Sequence, residues 1–145
     1  MRKMREMTLG NIKVHEFDTF DTIFMLGHNF GLLENPKRAR ELLGVLHRMT
    51  SPEAKILATT LDPRKTDDPL HKSYQAMNKQ RGRPAGQIRM RVRYKNLTGE
   101  WFEYLFVSPD TMRLIIAKSG WKIERISQGD SASYLAVLVK ETKKT

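Results

Sequence analysis

Residues 26–33 read Leu-Gly-His-Asn-Phe-Gly-Leu-Leu and follow an apolar run, Phe20 to Leu26, of strand character. A histidine and an asparagine just past a buried strand are polar groups placed where a ligand could meet them. In open α/β sheets ligands gather outside the carboxyl ends of the strands, which is where His28 and Asn29 fall. The same pair can serve as a capping or loop-bonding device, and the sequence leaves both readings open. Asp62, ahead of Pro63, ends a second apolar run; it either lines a pocket on that edge or begins a turn. Arg81, Arg83, Arg89, Arg91 and Arg93 supply a different chemistry, because a guanidinium grips a carboxylate or phosphate with two parallel donors. Arg81 and Arg83, in a loop, are expected to meet a substrate or partner. Arginines alternating along a strand also make a solvated face that discourages edge pairing, the reading taken for Arg89, Arg91 and Arg93. Tyr94, Trp101, Phe102, Tyr104 and Phe106 stand near these charges, as stacking surfaces for bases or as hairpin packing. Tyr94 is carried with Asp62, Arg81 and Arg83 as a substrate-binding candidate. No Ser/His/Asp or cysteine nucleophile arrangement is present, and the four histidines (15, 28, 47 and 71) have no metal-ligand spacing.

The elements that would hold these groups are legible from periodicity. Asn11 to Glu16 alternates like a short strand. Phe20 to Leu26 is apolar on both faces, as in a sheet covered on both sides. Asn35-Pro36 is a helix start, a cap followed by a residue preset for the first turn. Ala39, Leu42, Leu43, Leu46 and Met49 follow with helical spacing. Ala54 to Leu61 is a further buried strand. A helix between two buried strands implies a right-handed crossover and parallel pairing. Leu70 to Gln80 reads as a helix and Arg81 to Gly86 as loop. Ile88 to Lys95 alternates strictly, and Trp101 to Val107 returns as its antiparallel hairpin partner after the turn Asn96 to Glu100. Ser108-Pro109 opens a helix expected to run to Ser119, with Gly120 as a left-handed cap. Residues 121–127 and 133–141 are the last two strands, antiparallel to one another.

Composition bounds the class. A chain of 145 residues fits one domain. It has no cysteine, which excludes disulfides and thiolate-bound metals, and no apolar run long enough to span a membrane. The cytoplasm is the expected location. The formal charge is +10 and uneven: residues 64–95 hold ten Lys or Arg against Asp67 and Asp68. So basic a segment attracts something anionic, a small molecule or nucleic acid, or lies against an acidic surface.

The order of elements resembles the C-terminal half of a class I S-adenosylmethionine-dependent methyltransferase. The resemblance rests on Phe20-Asp21-Thr22-Ile23, the strand 54–61, the hairpin 88–107, Ser119-Gly120-Trp121-Lys122-Ile123 and the strand 134–140. It is sharper toward a group of small archaeal and bacterial methyltransferases of undefined substrate, through LGHNFGLL (26–33), DPRKTDDPLH (62–71) and RGRPAGQIRMRVRY (81–94). The fold implied is α/β: a partial Rossmann-like sheet, mostly parallel, with an inserted antiparallel hairpin and an antiparallel last strand. The activity implied is S-adenosylmethionine-dependent methyl transfer by a truncated or divergent member. Leu26, Gly27 and Asp18 would then lie beside the cofactor, Asp18 at its adenine, and His28 and Asn29 at the methyl-transfer point. The family's glycine-rich turn has no counterpart, since none of the nine glycines forms G-x-G. This chain alone is therefore expected to bind the cofactor weakly or not at all. The strand at 20–26, left unpaired on one side, is expected to be covered by a homodimer partner or a separate subunit. The alternative is a non-enzymatic basic module whose hairpin grips nucleic acid or an acidic partner.

Overall fold

The computed structural model of this chain describes residues 9–12 and 19–142. Asn11 closes a short 3-10 turn, Leu9–Asn11, so it does not begin a strand. Residues 13–16, where the rest of that expected strand falls, lie outside the described residues, as does Asp18. The first strand, β1 (Phe20–Met25), ends in a turn at Gly27-His28 and a 3-10 segment, Asn29–Leu33. Helix α1 (Pro36–Arg48) follows, then β2 (Thr50–Leu61). Next come α2 (Pro69–Gln80) and a broken hairpin of β3 (Gln87–Met90), β4 (Arg93–Tyr94), β5 (Leu97–Thr98) and β6 (Phe102–Leu105). Helix α3 (Pro109–Ile116) leads into β7 (Trp121–Gln128) and β8 (Ser133–Lys140).

Four strands form one sheet in the order β1-β2-β8-β7. β1 and β2 are parallel, with α1 as the crossover between them. β8 runs antiparallel to both β2 and β7, so β1, β2 and β7 share a direction that β8 alone opposes. The mixed α/β sheet expected from the sequence is the one observed.

The helix starts follow from local chemistry. Asn35 Oδ1 accepts the Arg38 N–H at 2.9 Å, Asp68 Oδ1 the Leu70 N–H at 2.8 Å and Ser108 Oγ the Thr111 N–H at 3.2 Å. A proline follows each cap. Each cap satisfies a donor that the first helical turn leaves without a partner. α1 buries Ala39, Leu42, Leu43 and Leu46, and α3 buries Met112, Ile115 and Ile116. They meet one face of the sheet, where Ile56 and Ala58 of β2 pair with Leu138 and Ala136 of β8. Trp121 is fully buried, and its Nε1–H donates to the Leu43 carbonyl at 3.0 Å, tying β7 to α1. α3 ends at Ile116, short of the expected Ser119, because the Ser119 hydroxyl bonds back to the Ile116 carbonyl at 2.6 Å. Gly120 holds the left-handed conformation expected of it, φ +86°.

Two expectations are corrected. β1 is not covered on both sides by the described residues: Phe20 and Phe24 are exposed, Phe24 to 64%. Its inward residues, Ile23 and Met25, pack on the core, and among the described residues no strand pairs with its other edge. The hairpin is also not continuous. β3 pairs with β6, the ladder breaks at Arg91-Val92, and β4 and β5 form a separate tip. The reversal there is Lys95-Asn96 with Lys95 at φ +51°, rather than a longer turn over 96–100. Beyond the break no second layer among the described residues covers the ribbon, so Val92 and Tyr94 stand exposed despite their place on the apolar side of the alternation.

Candidate functional site

The carboxyl ends of β1 and β2 open on the same edge, because the two strands are parallel. At the end of β1, Gly27 and His28 are consecutive left-handed residues, with φ +66° and +64°. For histidine that conformation is uncommon and must be held by its surroundings. Three contacts hold it. The His28 N–H donates to Thr59 Oγ1 at 2.9 Å, the Tyr104 hydroxyl donates to the His28 carbonyl at 2.7 Å, and the Gly31 N–H donates to the same carbonyl at 3.0 Å. Gly31 is what allows this clamp, since a side-chain carbon there would run into the Tyr104 ring. The His28 ring is fixed in turn. Nε2 lies 3.0 Å from Ser133 Oγ at the start of β8, and the ring stands edge-on to Phe106, centroids 6.4 Å apart. Nδ1 has no hydrogen-bond partner among the described residues.

Phe106 also lines a cleft of about 470 Å³, between α2 and the base of the hairpin. Leu61, Pro63, Leu70, Ile88 and Phe106 give it apolar walls. One wall is the loop 84–87, which is pinned twice. Asn78, buried in α2, donates from its amide to the Ala85 and Gln87 carbonyls at 3.2 and 2.7 Å. Gly86 lies so close to Phe106 that a side-chain carbon would strike the Phe106 carbonyl oxygen. That approach permits the Phe106 N–H to reach the Gly86 carbonyl at 2.9 Å.

Asp62 both lines this cleft and makes a turn. Its carboxylate is buried and accepts three bonds from Arg64: the backbone N–H at 3.0 Å, Nε at 3.1 Å and Nη2 at 2.9 Å. Burial opposes ionisation of Asp62, but the bonds and charge of Arg64, with Lys65 beyond, outweigh it and hold the carboxyl below its ordinary value. Burial pushes the Tyr134 hydroxyl, which donates to the Val107 carbonyl at 2.7 Å, well above the usual phenol range.

The residues expected at the site are dispersed. His28 and Asp62 flank the Phe106–Ala132 region of one edge. Asn29 turns the other way and lines a shallow hollow of about 330 Å³ along β1 with Phe24 and Leu32. Leu26 is 54% exposed, and Gly27 has open space where a side chain would be. Arg81 and Arg83 cap α2 through their backbone N–H groups and are exposed, outside the lining of the cleft. Tyr94 is at the hairpin tip with Lys95 Nζ 5.4 Å from its ring centroid. Lys65, Tyr74, Gln75 and Arg89 line the cleft and were not singled out as its residues. Asp-Pro-Arg at 62–64 carried a signal for the Asp62–Arg64 lock, an aspartate at a turn with a cation two residues on. Among the described residues no group of three or more His, Asp or Glu is placed to hold a metal ion. No helix among them is long and apolar enough to cross a membrane.

No protein-family model and no curated protein matches this sequence. Solved structures do match. A methyltransferase dependent on S-adenosylmethionine from Bacteroides fragilis, in complex with S-adenosyl-L-homocysteine, is 26% identical with a TM-score of 0.69, over 87% of this chain and 50% of that one. The CcbJ methyltransferase from Streptomyces caelestis shares the fold at 8% identity and TM-score 0.61, over 92% of this chain and 62% of that one. The glycopeptide N-methyltransferase MtfA, complexed with S-adenosylhomocysteine, does so at 13% identity and TM-score 0.56, over 92% and 59%. This chain thus spans half the length of the Bacteroides enzyme it resembles.

Proposed function

We propose that this chain works in S-adenosylmethionine-dependent methyl transfer, as the acceptor-side half of a catalytic domain. The observation that carries this reading is the clamped Gly27-His28 turn, set at the end of β1 and in contact with Phe106, which also lines a ligand-sized cleft. The likeness to methyltransferases, two of them holding S-adenosylhomocysteine, supports it.

When bound, S-adenosylmethionine supplies an electrophilic methyl group. The part of this chain is positional, and alignment alone can lower such a barrier by several kcal/mol, roughly 7–11 in the best cases. Leu26 gives an apolar surface and Gly27 gives open space, which suits one wall of a cofactor site. His28 holds the acceptor or takes its proton at Nδ1, while Ser133 fixes the ring and Tyr104 fixes the backbone beneath it. Asn29 lies on the β1 side, toward the donor. The opposite wall, a glycine-rich turn and a carboxylate for a ribose, has no counterpart in the described residues. A polypeptide segment of different sequence supplies it, and that segment or a second copy covers β1.

The test is titration of the isotopically labelled chain with S-adenosylhomocysteine into the millimolar range, followed by amide NMR. Weak shifts centred on Gly27, His28 and Asn29 are expected. Absence of shifts there at the highest concentration overturns the reading.

A further inference from the structure

We infer that the cleft between α2 and the hairpin base takes a small acceptor with a flat or elongated apolar body and a carboxylate at one end. The term acceptor rests on the methyl-transfer reading above; the chemistry of the ligand rests on the cleft alone.

The size comes first. A volume of about 470 Å³ falls among small-molecule sites and leaves no room for a folded polymer. The lining comes next. Its polar groups are nearly all committed inside the protein. The Asp62 carboxylate is satisfied by Arg64, so it is poorly placed to recruit a cation. The Gln75 amide donates to the Pro63 carbonyl at 2.6 Å, and the Tyr74 hydroxyl accepts the Arg89 N–H at 3.3 Å. His71 Nδ1 lies 3.0 Å from the Thr66 hydroxyl. What the ligand meets is therefore apolar surface plus two cations, Lys65 and Arg89. Neither forms an ion pair among the described residues. The Arg89 guanidinium rests 5.7 Å from the centroid of Trp101, which orders it without neutralising it. An apolar body is thus favoured with a negative end, and a positive end is disfavoured by the surplus charge.

The ends can be assigned. His28 contacts Phe106, and Phe106 is hydrogen-bonded to Gly86 at the base of the ribbon. Arg89 lies three residues further along β3, about 10 Å at the usual rise of a strand. The reacting atom belongs at the Phe106 end and the carboxylate at the Arg89 end. An arylalkanoate has those proportions.

The experiment uses three isosteric probes, phenylbutyrate, phenylbutanol and phenylbutylamine, titrated into the labelled chain without cofactor. Phenylbutyrate is expected to bind about tenfold more tightly than the alcohol, with the amine weakest. Amide shifts should centre on Tyr74, Gly86 and Ile88. Arg89→Gln, at an exposed position, should remove most of the preference for the acid and leave the affinity for the alcohol unchanged; Lys65→Gln should do part of the same. Equal affinity for acid and alcohol, tighter binding of the amine, binding of none of the three, or shifts centred on Phe24 and Leu32 would each overturn the inference. The S-adenosylhomocysteine titration reads a different set of residues, at Gly27 to Asn29, so either idea can fail while the other stands.

Discussion

At the scale of single residues, the chemistry of this edge depends on groups held by neighbours rather than on groups with unusual reactivity. His28 is the case in point: its backbone is left-handed and its carbonyl accepts from Tyr104 and from Gly31. Tyr104→Phe removes one of those bonds, and we expect a loss of about 1 kcal/mol in denaturant unfolding together with broadened amide signals at Gly27 and His28. Asp62 yields a prediction in pH. Its folded pKa lies below the ordinary aspartate value of 3.8, so its contribution is complete above that value and is lost as pH falls through the folded pKa. Asp62→Asn should therefore cost about 2 kcal/mol at neutral pH and flatten the decline of stability below pH 3.8. Acid titrations of the two proteins followed by circular dichroism check this; parallel curves would contradict it. Of these residue-level features the sequence carried some. His28 and Asp62 stood out because each follows an apolar strand, and position along a strand is local information. The Tyr104 clamp did not stand out, since it joins residues 76 apart and the phenol gave no sign of its partner.

Elements show the same division between local and remote causes. The starts of α1 and α3 were legible because a cap and a proline sit side by side in sequence. The parallel pairing of β1 and β2 followed from apolar runs on either side of an amphipathic helix, whereas the place of β8 between β2 and β7 did not. The break in the hairpin was not legible. Alternation continues through Arg91 and Val92, but burial stops there because none of the described residues packs over the ribbon beyond β3 and β6. There Arg91 closes on the Trp101 ring at 4.6 Å, making an exposed cation–aromatic contact instead of a core. The loop 84–87 is pinned by Asn78, a polar residue on a helix that otherwise reads as solvated. Asn78→Ala leaves two part-buried carbonyls short of a donor and should cost about 2 kcal/mol. Hydrogen exchange should accelerate at Ala85, Gly86 and Gln87 while β2 and β8 stay protected. Uniform acceleration would show that the loop is not an independent unit.

For the whole molecule, the defining feature is a sheet with one dressed face and one undressed edge. α1 and α3 cover the core side, while Phe20 and Phe24 of β1 remain exposed beside a hollow lined by Leu32 and Met49. An apolar strand edge of this kind pairs with another chain or segment unless charge prevents it. Sedimentation velocity at rising concentration is expected to reveal an assembled species, which Phe24→Lys shifts toward monomer. A monomer at every concentration would count against coverage by a second copy. The sequence analysis expected β1 to lack a neighbour on one side, and among the described residues no strand pairs there. It did not reveal how far β1 would be exposed, which depends on what lies outside the strand.

One feature of the cleft bears on how such proteins change over time. Every residue lining it except Ala132 lies between Leu61 and Phe106, a single stretch entered from β2 and left just before α3. The sheet core is made almost entirely by the rest of the chain. Recognition and scaffold are therefore separate lengths of gene. A recombination that replaces this one stretch would hand the same edge a different pocket, so diversification of ligand choice can proceed as the exchange of a cassette while the folded frame stays under its own selection.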